Sequence, residues 1–411
     1  MHRRRTLVVF LDDHYVATPA GVFGTLALPY TYWKQYLEAF DEVRLVARVA
    51  QRAQVDPRWN RADGPGVQFI PIPEYAGFWE NLTHLPRNLA RARAGLAAGD
   101  FYLLKGSTLA AFAWIWLTLL RRPYARTVMG HEGFTVALLP NLQRFGLASR
   151  VAQFTHWLGC RQVQGAACVH YWSHSLHAAY PPPRGAPRYV FAEVELADGV
   201  LTGPRGAETF CADPLRLVSV GRMSPEKGYR ELLEALKILH ESGERRWTLE
   251  AVGGGPELEK LRELVVQYGL ADRIRFVGLI PWGPELFARL DHADLYVLPS
   301  LTEGMPRAPL EAMARGLPVI STTVGGMPDV VGPAQLVPPG DPGALADVIQ
   351  QYIGQRSKLA AMSPEAFHVA MRFHPSQIRK EKLAYWTSLR ECTQRWRRVT
   401  GRANRSASRT I

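Results

Sequence analysis

The chain has 411 residues, of which 47% are hydrophobic and 21% charged, and its formal net charge is +12. This length exceeds one ordinary hydrophobic core and favours two domains, and the composition excludes a disordered or fibrous chain. None of the four cysteines belongs to a Cys-x-x-Cys pair, so neither a zinc site nor a disulfide framework is indicated. A reducing cytoplasm is therefore the expected compartment.

The first half of the chain alternates predicted strands and helices. Residues 6–11 form a short apolar run that meets Asp12 and Asp13, which predicts a first β-strand rather than a signal peptide. Further strands are predicted at residues 43–47, 67–70, 101–104 and 125–129. Helices are predicted at residues 30–40, 87–98 and 108–120. The last of these is strongly apolar but shorter than the roughly 20 residues of a membrane span, which favours a helix packed on a parallel sheet.

Proline and glycine mark the expected connection between two domains at residues 179–187 and 198–214. The second half then predicts about six strands with intervening helices, and a final amphipathic helix over residues 375–399. We expect an N-terminal domain over residues 1–195, a C-terminal domain over residues 196–374, and a terminal helix with a basic tail over residues 375–411.

The positive charge is unevenly distributed. Residues 1–200 carry a net charge of +7 and residues 390–411 carry +6. One interpretation is a general solubility bias, and another is contact with an anionic membrane surface or an anionic lipid acceptor. Nucleic acid is a third, weaker option, and no base-stacking module or DNA-binding motif is found, so we expect no nucleic-acid partner.

Two glutamates eight positions apart, Glu303 and Glu311, follow a predicted buried strand. Pro309 suits the first position of a helix, which would place Glu303 in the strand-to-helix loop and Glu311 in the first helical turn. Free backbone N–H groups at that helix start, roughly residues 305–310, form an anion site, and a carboxylate beside it suits the diol of a ribose. The alternative is that Glu311 merely favours the helix dipole and that Glu303 is solvated.

Two further strand–loop–helix segments precede these glutamates. Arg222 and Lys227 flank a turn, where two cations can neutralise a leaving diphosphate without a metal. Three glycines at residues 253–255 follow the next predicted strand and allow a ligand to approach the backbone closely. No Asp-x-Asp sequence occurs, and no pair of carboxylates is set as nucleophile and acid, which argues against a glycosidase.

In this order and spacing, the three loops resemble the C-terminal half of glycosyltransferase family 4, the retaining group 1 glycosyl transferases, over about residues 215–350. The resemblance implies an α/β fold of two Rossmann-like domains facing a cleft, the GT-B type, with the C-terminal helix crossing back to the N-terminal domain. The N-terminal domain would bind the acceptor and the C-terminal domain the nucleotide sugar. Asp329 stands where the family usually has Glu, and Arg307 where an apolar residue is common.

The resemblance also assigns roles to individual residues. The catalytic candidates are His131, Arg222, Lys227 and Glu303. The candidates for binding the nucleotide sugar are Gly221, Gly254, Gly255, Gly304, Met305, Pro306, Arg307 and Glu311. Gly21 and Gly24 correspond to a loop after the first strand that approaches phosphate and acceptor. His131 would meet the donor sugar near the reacting carbon, and its alternative interpretation is a solvated loop histidine.

The resemblance therefore predicts a retaining, metal-independent glycosyltransferase of the hexosyltransferase type. It would move a sugar from a UDP- or GDP-linked donor to a hydroxyl acceptor, a lipid-linked or cell-surface polysaccharide intermediate such as that of lipopolysaccharide. No cofactor and no metal are expected. The expected location is the cytoplasm, peripheral on the inner face of the cytoplasmic membrane. Two alternatives stay open: a sugar-nucleotide epimerase or hydrolase on the same double-Rossmann fold, and a non-catalytic partner in polysaccharide assembly.

Overall fold

The computed structural model describes residues 4–24, 28–56, 59–73, 85–106, 108–130 and 148–400. The chain divides into two compact units. Unit 1 comprises Met1–Trp172, Leu176–Phe191 and Lys380–Ile411, and unit 2 comprises Ser173–Ser175 and Ala192–Arg379. Each unit is built on a largely parallel sheet that carries helices, which confirms the expected α/β class with two Rossmann-like domains.

Unit 1 contains a nine-stranded sheet. Its strands are β1 (Thr6–Thr18), β2 (Gly21–Gly24), β3 (Glu42–Gln51), β4 (Asn60–Arg61), β5 (Val67–Ile72), β6 (Phe101–Lys105), β7 (Ala125–Val128), β8 (Cys168–Tyr171) and β9 (Arg188–Val190). The described helices of this part of the chain are α1 (Tyr30–Lys34), α2 (Leu85–Ala97), α3 (Thr108–Leu119), α4 (Ala148–Gln164) and α5 (His174–Ala179). Every strand and helix predicted above for the first half is present, and apart from the end of β1 their bounds agree within a few residues.

The strand order of this sheet reverses at β1, which pairs in parallel with β3 on one side and β6 on the other. Strands β6 and β7 are buried along their whole length, as expected for parallel strands that are covered on both faces. One apolar cluster, containing Ala92, Leu109 and Val163, lies under α2, α3 and α4. The other contains Trp33 and Tyr36 of the α1 region.

Strand β1 is longer than predicted, and this corrects one expectation. Its second half, up to Thr18, pairs in antiparallel register with β2, so that Tyr15 lies opposite Gly24 and Thr18 opposite Gly21. Gly21 and Gly24 therefore belong to a hairpin strand and not to a loop that follows the first strand. The prediction failed because Asp12 and Asp13 suggested a strand end, whereas the chain continues in extended conformation past them.

Unit 2 contains a six-stranded, entirely parallel sheet in the order β12-β11-β10-β13-β14-β15. Its strands are β10 (Leu215–Val220), β11 (Trp247–Val252), β12 (Ile274–Gly278), β13 (Leu295–Leu298), β14 (Val319–Thr322) and β15 (Leu336–Val337). Its helices are α6 (Tyr229–Glu241), α7 (Leu258–Gln267), α8 (Pro284–His292), α9 (Arg307–Ala314), α10 (Pro342–Gly354) and α11 (Arg356–Met371). The strand order reverses at β10, so the loops that follow β10, β11 and β13 leave the sheet at neighbouring positions.

The last helix, α12 (Pro375–Val399), has the bounds that the sequence predicts. From Lys380 onward its residues belong to unit 1, which confirms the expected return of the chain to the N-terminal domain. Trp386 is buried against Tyr36, with ring centroids 4.5 Å apart. Arg397 donates a hydrogen bond to Asp100 at 2.8 Å. No helix among the described residues is long and apolar enough to cross a membrane.

Candidate active site

Three loops meet at the carboxyl ends of β10, β11 and β13 in unit 2. The Met223 backbone N–H donates to the Gly254 carbonyl at 3.0 Å, which joins the first loop to the second. The Leu301 N–H donates to the Glu226 carbonyl at 2.9 Å, which joins the third loop to the first. The three motifs that the sequence singled out therefore form one continuous site, at the edge where open parallel sheets bind ligands.

The glycine-rich loop after β11 can be built only with glycine at two positions. Gly253 has φ +139°, and a Cβ added there would lie 1.9 Å from the Gly221 carbonyl oxygen. A Cβ at Gly255 would lie 2.3 Å from the Met223 carbonyl oxygen. Gly253 and Gly255 thus allow two loop backbones to approach each other, whereas the sequence predicted that they allow a ligand to approach. Gly254 is less constrained, since its nearest neighbour would be a Leu279 side chain at 3.2 Å.

Lys227 and Glu303 form an ion pair at the centre of the site. The Lys227 Nζ lies 2.6 Å from Glu303 Oε1, and the Ser300 hydroxyl donates to the same oxygen at 2.7 Å. The Glu303 side chain is 8% exposed and that of Lys227 is 25% exposed. The ammonium group is therefore held at a fixed position, and one side of it faces solvent. A cation that binds an anionic ligand needs both properties.

Arg222, the second predicted cation, follows β10 and is exposed. Burial would raise the pKa of Glu226, but the Ser224 hydroxyl and the charges of Lys227 and Arg222 lower it. Both cations therefore lie close enough to Glu226 to lower its pKa, so their positive charges are concentrated in one loop.

Glu311 is almost fully buried and its Oε1 accepts two hydrogen bonds. Trp282 Nε1 donates at 2.8 Å and Arg307 Nε at 2.7 Å. The Arg307 guanidinium also lies over the Trp282 ring, 5.7 Å from its centroid. The buried carboxylate is thus oriented by an indole and an arginine at the surface of the site.

Helix α9 begins earlier than the sequence predicts. Pro306 is its N-cap and Arg307 its first residue, so Pro309 occupies the third position and Glu311 lies in the second turn. Because prolines carry no N–H, Pro306 and Pro309 remove two donors from the helix start. The backbone anion site expected over residues 305–310 is therefore reduced mainly to the N–H groups of Arg307 and Ala308 in the first turn.

The remaining predicted binding residues are held by the loop after β14. The Gly326 N–H donates to the Gly304 carbonyl at 2.6 Å. Gly325 has φ +55°, and a Cβ there would lie 2.3 Å from that same carbonyl oxygen. Met305 is buried, and its Cε would lie 2.2 Å from a Cβ at Gly326. This loop therefore fixes the backbone of residues 303–305.

Two buried tyrosines hold the end of β10. The Tyr296 hydroxyl donates to the Val220 carbonyl at 2.9 Å, and the Tyr229 hydroxyl donates to the Gly221 carbonyl at 3.4 Å. Burial raises the pKa of Tyr229 to about 12 and that of Tyr296 far above its usual range. Both hydroxyls stay protonated at neutral pH and can act as donors, which positions Gly221 at the edge of the site.

The structure adds residues to the site and leaves one prediction without a test. Trp282 and Ser300 contact the two glutamates, and neither was selected from the sequence. Both follow strands at the carboxyl edge of the sheet, which was the signal available for them. His131 lies outside the described residues. In the part of the chain that is described, no group of three or more His, Cys, Asp or Glu is arranged to hold a metal ion.

A family comparison agrees with this geometry. Residues 205–369 match the family described as Glycosyl transferases group 1. This segment contains all three loops of the site. The resemblance inferred from the sequence is thus confirmed over this segment.

Two named proteins are similar to about a third of the chain. WcaL of Escherichia coli (strain K12), a proposed colanic acid biosynthesis glycosyltransferase, is 40% identical over 150 residues, or 34% of this chain and 36% of that protein. The amylovoran biosynthesis glycosyltransferase AmsK of Erwinia amylovora is 37% identical over 145 residues, or 33% of this chain and 35% of that protein. The aligned segment thus spans little more than a third of the length of these relatives.

A solved structure resembles the whole fold. Anabaena Alr3699/HepE in complex with UDP has a TM-score of 0.64 and 18% sequence identity, and the alignment covers 93% of this chain and 99% of that chain. At this identity the likeness shows a shared fold and no more.

Proposed function

We propose that the protein is a glycosyltransferase that moves a sugar from a nucleoside diphosphate sugar to a hydroxyl acceptor in polysaccharide biosynthesis. The observation that carries the proposal is the pair of buried glutamates, each with a cation at hydrogen-bond distance, on loops that meet at one sheet edge. The match of residues 205–369 to the group 1 glycosyl transferases supports the reaction class. The relatives named for colanic acid and amylovoran synthesis support the polysaccharide context.

The donor is assigned to unit 2 and is UDP- or GDP-linked. Glu311 accepts hydrogen bonds from the ribose diol, and the N–H groups at the start of α9 meet the diphosphate. Glu303 accepts a hydrogen bond from a sugar hydroxyl and at the same time keeps its ion pair with Lys227. Unit 1 takes the acceptor, a lipid-linked or cell-surface polysaccharide intermediate, and the role proposed for His131 stays the one that the family resemblance implies.

Catalysis rests on charge compensation at the leaving group. As the bond between the sugar and the phosphate breaks, negative charge grows on the diphosphate. Lys227 and Arg222 then interact more strongly with the leaving group than with the intact donor, which lowers the barrier. No metal is needed for this step. Attack occurs on the face from which the diphosphate leaves, so the anomeric configuration is retained, and the leaving phosphate accepts the proton of the acceptor hydroxyl.

The test begins with the donor alone. A panel of UDP- and GDP-sugars is screened by thermal shift, and each ligand that stabilises the protein is incubated with free and lipid-linked acceptors. We expect one donor to give a new glycoside with retained configuration. A new nucleotide sugar formed without acceptor would indicate an epimerase, and donor binding without any turnover would indicate a non-catalytic role.

We also propose that the protein works in the cytoplasm, peripheral on the inner face of the membrane, where a lipid-linked acceptor is accessible. The support is the distribution of charge, +7 over residues 1–200 and +6 over residues 390–411. Basic residues near an anionic leaflet give reversible, salt-sensitive binding.

A further inference from the structure

One layer of helices in unit 1 has no negative charge. Helices α2, α3 and α4 contain five arginines and no aspartate or glutamate. They pack over one apolar cluster of the unit, and α3 contacts both α2 and α4. Over residues 101–192 the sequence has nine Lys and Arg and a single acidic residue, Glu132. Within these three helices no acidic side chain offsets the charge of the arginines.

The outer face of α4 carries an aromatic pair between two arginines. Arg150, Phe154, Trp157 and Arg161 follow one another at spacings of four, three and four residues, which places them along one side of the helix. Phe154 is 58% exposed and Trp157 is 53% exposed, and their rings stack with centroids 5.8 Å apart. Two large aromatic side chains in solvent are not explained by the packing of the unit, whose core lies on the opposite side of α4.

The neighbouring helix, α3, also carries exposed apolar side chains. Ile115 and Leu119, four residues apart on α3, are 39% and 68% exposed. Other residues of α3, among them Ala113 and Leu117, pack into the apolar cluster of the unit. The residues that follow α3 include Arg121, which is exposed. Two helices in contact thus carry both exposed apolar side chains and, on or next to them, exposed arginines.

We propose that the outer face of α4, together with the exposed end of α3, docks onto an anionic lipid bilayer. Phe154 and Trp157 insert at the level of the headgroups, where aromatic side chains are favoured, and the arginines contact lipid phosphates. The combination of exposed aromatic rings with arginines and no acidic residue fits this occupant, because a bilayer surface offers uniform negative charge above an apolar layer. Docking would bring the enzyme to a lipid-linked acceptor, and this consequence rests on the proposed function. The docking itself does not depend on that function.

The experiment measures binding of the full chain to vesicles without any turnover. Phosphatidylglycerol vesicles are compared with phosphatidylcholine vesicles for the wild type and for the double variant Phe154→Ser/Trp157→Ser. The matched control is Val266→Ser, which changes a 71% exposed apolar residue of unit 2. We expect the double variant to bind anionic vesicles about tenfold or more weakly, since two apolar anchors are lost. The control binds as the wild type does.

A second pair of variants separates charge from insertion. Arg150→Gln/Arg161→Gln reduces binding to anionic vesicles by about fivefold for each arginine and leaves binding to neutral vesicles unchanged. Arg230→Gln/Arg262→Gln, which removes two exposed arginines of unit 2, serves as the control. If Arg150→Gln/Arg161→Gln and Arg230→Gln/Arg262→Gln lost equal amounts of binding to anionic vesicles, the assignment of this face would be overturned.

Insertion itself is read from quenching by brominated lipids. Trp157→Phe keeps an aromatic anchor, so it binds like the wild type but loses most of the tryptophan quenching. Three outcomes would each overturn the proposal. Quenching could be unchanged in Trp157→Phe, or the double serine variant could bind vesicles as the wild type does. This face could also bind nucleic acid or a protein partner in preference to lipid. Absence of wild-type binding to either vesicle would also overturn it, while transfer to a water-soluble acceptor, assayed in parallel, would still test the transferase function.

Discussion

Replacement of Glu311 by glutamine tests whether this carboxylate binds the ribose. The substitution keeps the shape of the side chain and one oxygen that can accept from Trp282 Nε1, now 2.8 Å away. It removes the charge that Arg307 meets at 2.7 Å. Because the Arg307 side chain is 54% exposed, solvent already screens this ion pair and the loss in stability is small.

The expected loss of donor affinity follows from the change in hydrogen bonding. A hydrogen bond to a charged group contributes about 1.5–3 kcal/mol, against about 1 kcal/mol for a neutral pair. Two such bonds to a diol therefore weaken by about 1–4 kcal/mol together, which corresponds to roughly a 5- to 900-fold increase in Kd. The ribose does not react, so the loss appears mainly in KM and kcat/KM for the donor.

Calorimetry with two ligands isolates the diol. The nucleoside diphosphate of the preferred donor is compared with its 2′,3′-dideoxy analogue, on the wild type and on Glu311→Gln. We expect the wild type to discriminate strongly between them and the variant to bind both with similarly low affinity. Glu259→Gln, an exposed glutamate of α7, is the control. If the variant still discriminates as the wild type does, Glu311 does not hold the diol.

Three further outcomes are expected. Lys227→Ala lowers kcat about 100-fold with a smaller change in donor KM, because the cation acts on the charge that develops in the transition state, whereas the exposed Lys260→Ala has no effect in the same steady-state assay. Chelation by EDTA leaves most of the activity, and a complete loss restored by magnesium or manganese would contradict the charge compensation proposed for Lys227. Gly253→Ala lowers the melting temperature and abolishes nucleotide-induced stabilisation, since its Cβ would lie 1.9 Å from a carbonyl oxygen, while Gly199→Ala, with open space around it, stays close to wild type.

The fold was largely predictable because the sheet of unit 2 is parallel and that of unit 1 is largely so. Strands such as β6 and β13 are continuous apolar runs buried on both faces, and this pattern is visible in the sequence. The failure at β1 has a local cause. The strand extends past Asp12 and Asp13 because it gains a new partner, β2, and a hairpin partner cannot be recognised from the polarity of two residues.

The ionic part of the candidate site was predictable, whereas its supporting contacts were not. Lys227 and Glu303 were selected from motifs, and the structure brings them to 2.6 Å. Trp282 comes from a loop that carries no motif and follows the edge strand β12, three positions from β13 in the sheet, so nothing in the sequence places it beside Glu311. The start of α9 was misplaced because Pro309 is acceptable at several positions of a first turn, and the sequence does not distinguish among them.

The return of α12 to unit 1 has a consequence for biosynthesis. Tyr36 and Trp386 are 350 residues apart in the sequence (386 − 36), so Tyr36 is made much earlier, yet their rings pack 4.5 Å apart in one core. Residues 192–379, by contrast, are all contained in unit 2. Because domains fold as units during synthesis, unit 2 can fold on the ribosome while unit 1 still lacks Tyr385, Trp386 and Leu389 of its core. Unit 1 is thus completed after unit 2 although most of it is translated earlier, and the apolar surface around Tyr36 stays open to chaperones until α12 has been made.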